Sequence, residues 1–142
     1  MSESAAISQL RVGPDRGHVM HAVTGRRRNL ALAARTERAY LVAVLSGALD
    51  ATRAPALREQ LLCLLRPTAS RLVLDLSLVS HVDAAGLAVL VGTDRRARLL
   101  GGSLRLAAVK PAVGMAVRAA GLDRLIEIFP TVQLAVSSPA RA

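Results

Sequence analysis

Aromatic side chains are almost missing: the chain has no tryptophan, one tyrosine, Tyr40, and one phenylalanine, Phe129. That leaves little material for a surface that stacks nucleic-acid bases on rings, for which only Tyr40 and Phe129 could serve. The interior must instead be packed from Leu, Val, Ile and Ala, within a total of 52% hydrophobic residues. The single cysteine, Cys63, excludes an intrachain disulfide. No basic start followed by an apolar core and a small-residue cleavage site is visible, so a reducing cytoplasm is the expected location. Long apolar runs are missing too. The stretch from Ile128 to Ala140 is among the longest without a charge, and it falls short of the ~20 residues that span a bilayer. No transmembrane helix is expected.

Acidic residues are few, ten against nineteen basic ones, which leaves a net charge of +9. Its distribution decides what it means. Met1 to Arg28 carries five arginines against Glu3 and Asp15, a net of +3, and the remainder carries +6. The excess is spread out, and the run Arg26-Arg27-Arg28 is the one local cluster. Such a run reads first as a solvated tail, so direct nucleic-acid binding is not expected.

At 142 residues the chain suits one domain. Residues 1–28 lack a sustained period and contain Gly13-Pro14, Gly17 and Gly25, which reads as a flexible basic extension. The domain is placed at 29–137 and a short tail at 138–142. Leu30 to Glu37 and Tyr40 to Ser46 read as strands joined by a turn at Thr36-Glu37-Arg38. Thr52 is placed to cap a helix with Pro55 in its first turn. Leu57, Leu61, Leu64 and Leu65 then share one helical face, with Cys63 read as a small buried or half-buried hydrophobe.

Leu72-Val73-Leu74-Asp75-Leu76 is a short apolar run of the kind buried on both faces of a parallel sheet. A largely helical stretch follows from about Ala84 to Leu99, then a Gly101-Gly102 turn and an alternating strand at Leu104, Leu106 and Ala108. Pro111 and Gly121 mark the two ends of the next helix, with Leu122 placed for the contact that follows such an end. A strand at Ile126 to Ile128 and a last helix near Pro130 and Thr131 complete the alternation. The expected fold is α/β, with a four- or five-stranded, mostly parallel sheet and about four helices.

From Ala84 through Gly92 no side chain is polar, whereas Thr93, Asp94, Arg95, Arg96 and Arg98 follow at once. A helix packed on a sheet keeps polar residues on its outer face. The first half is therefore expected to offer apolar surface to a partner, the other reading being burial all round. Ser80, His81 and Asp83 are hydrolase residue types, but neighbours in one short loop do not converge as a triad must. His18 and His21 read as tail residues and no ligand set surrounds any histidine, so neither metal nor cofactor is expected. Asp50 is read as ordering the turn before the first helix, and Asp83 as accepting amides at the start of the second.

From about Leu30 to Val136 the chain resembles the STAS-domain family, whose best-known members are anti-sigma-factor antagonists. The resemblance rests on Gly47-Ala48-Leu49-Asp50, on Leu72-Val73-Leu74-Asp75, on the Gly-Gly and Gly-Leu pairs at 101 and 121, and above all on Asp83-Ala84-Ala85-Gly86-Leu87. In the family the last of these reads Asp-Ser-Ser-Gly-Leu, and its second serine is phosphorylated by a cognate anti-sigma kinase. Here that position is Ala85, beside Ala84, and neither has a hydroxyl.

The resemblance implies a single STAS-like domain and a non-enzymatic module for partner switching in bacterial transcription regulation. It would bind an anti-sigma factor or a related ATP-binding kinase. The partner-binding residues it implies are Asp50, Ser80, His81, Asp83, Ala84, Ala85, Gly86, Leu87, Val89 and Leu90. Three accounts of the missing serine stay open: an antagonist always competent to bind, a partner that never phosphorylates it, or control moved to Ser77 or Ser80. The alternatives are a STAS regulatory subunit of a bacterial lipid-trafficking ABC transporter and, less favoured, a basic nucleic-acid binder acting through Arg26 to Arg28. A homodimer is left open.

Overall fold

A computed structural model of the chain describes the backbone of residues 7–11 and 19–24, and residues 31–139. Its strands are β1 (Ile7–Arg11), β2 (Val19–Thr24), β3 (Ala31–Glu37), β4 (Tyr40–Leu49), β5 (Arg71–Val82), β6 (Ser103–Ala107) and β7 (Glu127–Phe129). The helices are α1 (Ala54–Leu64), α2 (Ala84–Leu99), α3 (Pro111–Ala119) and α4 (Val132–Ser137), with a 3-10 turn at Leu122–Arg124. The sheet runs in sequence order from β1 to β7. Strands β3 and β4 pair antiparallel, and β4 to β7 pair parallel through helical crossovers. Within residues 31–139 this is the expected α/β architecture of five strands and four helices, mostly parallel with one antiparallel pair.

Strands β1 and β2 add antiparallel to the free side of β3. The expectation of an extension without regular structure is thus corrected at 7–11 and 19–24. Val19, Val23 and Thr24 favour extended backbone, and β2 pairs with the next strand, β3, from His21 to Thr24, although no sustained period announces it. His21, read as a tail residue, stands in β2 opposite Ala34. The Arg26-Arg27-Arg28 run lies outside the described residues.

The core has two sides because β5 is buried on both. Leu72, Leu74 and Leu76 pack with Leu57 and Leu61 of α1, Val89, Leu90 and Ala97 of α2, and Val113 and Val117 of α3. Val73, pointing the other way, packs with Tyr40, Val42, Ala107 and the α4 residues Ala135 and Val136. At ~25 cal/mol per Å² of apolar surface, each fully buried leucine contributes about 2 kcal/mol. This layering seats α2 against the sheet.

Several local expectations are corrected. The hairpin turn falls at Arg38 and Ala39, with Arg38 at φ 57, so Thr36 and Glu37 remain in the ladder. Thr52 does not cap α1: the position before the helix is Arg53, with no side-chain cap, and the Asp50 carboxylate accepts the Arg53 amide at 3.1 Å. Cys63 is exposed, on the outer side of α1. Thr93 and Asp94, expected on a polar outer face, are buried. The Thr93 hydroxyl donates to the Val89 carbonyl at 2.7 Å. Asp94, 6% exposed, accepts the Leu104 amide at 3.2 Å and the Arg98 Nε at 2.8 Å. The helix boundary at Gly121 is as expected, with φ at 76 and Leu122 buried after it.

Candidate functional site

Ser80 and His81, expected in a short loop with Asp83, stand in strand β5, which runs to Val82. β5 runs twelve residues, but β6 pairs with it only from Arg71 to Asp75, so its last half has β4 alone as a neighbour among the described residues. Two register shifts in the β4–β5 pair, between Val44 and Ser46 and between Gly47 and Ala48, accompany Gly47 at φ 98. Val79 and Val82 then face the core, while Leu78, Ser80 and His81 are exposed. Leu78 stands 56% exposed at this uncovered end.

Asp83 converts the strand into α2. Its backbone is extended at φ −113, its Oδ1 accepts the Gly86 amide at 3.0 Å, and its carbonyl accepts the Leu87 amide at 2.9 Å. These bonds satisfy amides that the first helical turn leaves without intrahelical acceptors. The other oxygen, Oδ2, accepts the Ala51 amide at 3.1 Å, and the Asp83 amide donates to the Leu49 carbonyl. The start of α2 is therefore tied to the end of β4. The Gly86 amide is the largest influence holding the carboxyl below the usual carboxylate range. Desolvation works against it, and the Ala51 and Ala85 amides and the His81 charge work with it.

Gly86 is buried because helix and strand meet there. A Cβ would lie 2.2 Å from the Leu49 carbonyl oxygen and 2.8 Å from the Val82 Cγ2. The glycine of the Asp-x-x-Gly pattern thus permits the close approach that brings Asp83 to Ala51. Gly86, expected among the partner-binding residues, is buried in this packing contact.

Of the other expected contact residues, Val89 and Leu90 are also core, at 4% and 0% exposure, because i+3 and i+4 steps from Gly86 turn them toward the sheet. Leu87 is partly buried against the same cluster. Ala84, Ser80 and His81 are exposed, Ala85 and Asp83 half-buried, and Asp50 half-buried on the neighbouring turn. The expected apolar face is therefore neither wholly enclosed nor wholly outward. What remains outward is a stripe of small residues, Ala84, Ala88 and Gly92. Ala88 was not among the expected contacts, although its position one turn from Ala84 could have placed it there.

The same geometry removes the Ser80, His81 and Asp83 grouping as a triad. Both Asp83 oxygens are engaged by backbone amides, and Ser80 and His81 form no hydrogen bond with it. The spatial neighbours of the site are the β4 end, the Asp50–Ala51 turn and the last residues of β5.

The STAS-domain family model matches residues 31–135. The chain belongs to the STAS-domain family. An anti-sigma factor antagonist from Mycobacterium paratuberculosis is similar over 76% of this chain and 92% of that one, at 26% identity and a TM-score of 0.69. A variant of RsbS from Moorella thermoacetica is similar over 72% and 88%, at 28% identity and a TM-score of 0.58. A sulfate transporter family protein from Wolinella succinogenes is similar over 68% and 80%, with a TM-score of 0.60, but its 18% identity makes that a likeness of fold alone. In this STAS domain the Asp83–Leu87 stretch closes the long central strand. No helix among the described residues is long and apolar enough to cross a membrane.

Proposed function

We propose that this STAS domain is a non-enzymatic protein-interaction module of the anti-sigma-factor-antagonist type. It binds an anti-sigma factor or a related ATP-binding, kinase-like regulator through the opening of α2. The observation that carries the reading is the way Asp83 fixes that opening. Its two oxygens hold Gly86 and Ala51, while Ala84 and Ala88 stay outward beside Ser80 and His81.

A rigid surface of small side chains lets another backbone approach closely and loses little side-chain entropy on docking. Asp50, which accepts the Arg53 amide, shapes the adjoining rim. The half-buried Ala85 sits where the family pattern has a phosphorylated serine. A phosphate would bring about −1.5 to −2 charges to this uncharged surface, and neither Ala84 nor Ala85 can carry one. The module is accordingly competent to bind without a phosphorylation switch at this site.

The test is co-purification of the tagged domain from its native cytoplasm, with Ala88→Arg as the paired variant and mass spectrometry as the readout. Recovery of a soluble ATP-binding regulator by the wild type and its loss with Ala88→Arg supports the proposal. Recovery of a membrane-transport ATPase would favour the transporter-subunit alternative. Equal recovery by both forms would place the interaction elsewhere on the molecule.

A further inference from the structure

We propose a second site, for an oxyanion of the phosphate type, at the end of the sheet opposite Asp83. β5 carries Arg71 as its first residue and Val82 as its last, which separates the two ends by about 35 Å at the usual rise per residue. Where β5, β6 and β7 begin, a cavity of about 230 Å³ is lined by Arg71, Arg98 and Arg105, with Glu127 as the one carboxylate. Gly101, Gly102 and Ser103 form its turn, and Tyr40 and Leu125 complete the wall.

Strand pairing places Arg71 and Arg105, and hydrogen bonds fix Arg98 and Arg105. Arg71 stands in register with Ser103, and Arg105 with Glu127. Arg98 donates Nε to Asp94 at 2.8 Å and Nη2 to the Leu125 carbonyl at 3.0 Å. Arg105, 2% exposed, lies between the rings of Tyr40 and Phe129 at 5.0 and 4.9 Å and donates to the carbonyls of Ala135, Ser138 and Pro139. Its Nε also faces the Glu127 carboxylate at 3.3 Å. Arg71 is exposed and makes no ion pair among the described residues.

Three guanidinium groups against the Glu127 carboxylate leave the lining positive, even with Asp94 offsetting part of the Arg98 charge from behind. The C-terminal end of α2 turns a partial negative charge toward this turn, which the arginines must outweigh, but its last carbonyls are not bare. They accept the amides of Leu100, Gly101 and Gly102. Gly102 keeps the turn closed, since a Cβ there would meet the Ser70 carbonyl oxygen at 2.0 Å. Arg98 and Arg105 spend most of their donors on Asp94 and on carbonyls of Leu125, Ala135, Ser138 and Pro139 and so supply charge. The exposed Arg71 presents its guanidinium fork to a tetrahedral oxyanion. The volume exceeds the ~30 Å³ share of one water severalfold, enough for a phosphate with a small substituent. The shared chemistry is a phosphate dianion, either free or as a monoester.

The experiment is calorimetric titration with inorganic phosphate and with glycerol 3-phosphate, paired with amide chemical-shift mapping. It compares the wild type with Arg71→Ala and with Arg58→Ala, a substitution on the exposed side of α1. Saturable binding with shifts at Gly101, Gly102 and Ser103 is expected. It should weaken at least about tenfold in Arg71→Ala, the loss of one charge-assisted contact, and stay unchanged in Arg58→Ala. Tighter binding of glycerol 3-phosphate identifies a monoester and the reverse order identifies free phosphate; both support the site. No saturable binding, shifts confined to other amides, or equal affinity in folded Arg71→Ala would overturn it.

Discussion

The Asp83 carboxylate accepts the Ala51 amide at 3.1 Å across thirty-two residues of sequence. One side chain thereby serves as the cap of α2 and as the tie between that helix and the end of β4. The exposed alanines beyond it inherit a fixed position from this contact, and the docking proposal depends on it.

The depressed Asp83 pKa predicts a signed dependence on acid. The carboxylate binds its proton less readily when folded than when unfolded, so its stabilisation is fully present above the unfolded value of about 3.9. It is lost as pH falls through the lower folded value. Wild type should therefore exceed Asp83→Asn in stability at neutral pH, with the gap closing below about pH 3.9. Urea unfolding across the acidic range checks this, and a gap independent of pH would contradict it.

Two glycines in α2 should respond to alanine in opposite directions. At Gly86 the new Cβ meets the Leu49 carbonyl oxygen at 2.2 Å, whereas at Gly92 nothing lies within 4 Å. Gly86→Ala is expected to cost about 1–3 kcal/mol or more through forced displacement of helix and strand. Gly92→Ala is expected to gain up to about 1 kcal/mol from helix propensity. Denaturant midpoints of the two variants decide the matter.

The core and surface positions of α2 should separate in the same way. Leu90→Ala removes a fully buried side chain and should cost about 2–5 kcal/mol. Ala88→Arg, on the exposed face, should leave stability within about 0.5 kcal/mol while removing partner recovery. Parallel unfolding and co-purification measurements distinguish the two roles.

Arg105 holds α4 to the sheet, since its guanidinium serves three carbonyls at the end of that helix. Arg105→Met should cost about 1–3 kcal/mol, because these carbonyls lose their donor. Faster hydrogen exchange should appear first at Ala135 and Val136. Uniform loss of protection across the domain would argue against a local latch.

What the sequence reveals follows the range of the interactions involved. The run at Leu72 to Leu76, the left-handed Gly121 and the Asp83 cap are local and legible, and the family pattern locates the rest of the core. The continuation of β5 through Ser77 to Val82 is not, because pairing with β4 overrides polar residues that read locally as loop. Asp94 and Arg105 are hidden for the same reason: each looks like surface until a distant amide or carbonyl satisfies it. Within the site, a helical period carried one residue further separates Ala84 and Ala88 from the buried Val89 and Leu90.

The most direct test of the docking account is the affinity of the recovered ATP-binding regulator for wild type and for Ala85→Asp, with the fold of each checked by circular dichroism. A carboxylate placed on the uncharged opening of α2 should weaken binding at least about tenfold without unfolding the domain. Unchanged affinity for a folded Ala85→Asp protein would contradict the claim that the partner sits there.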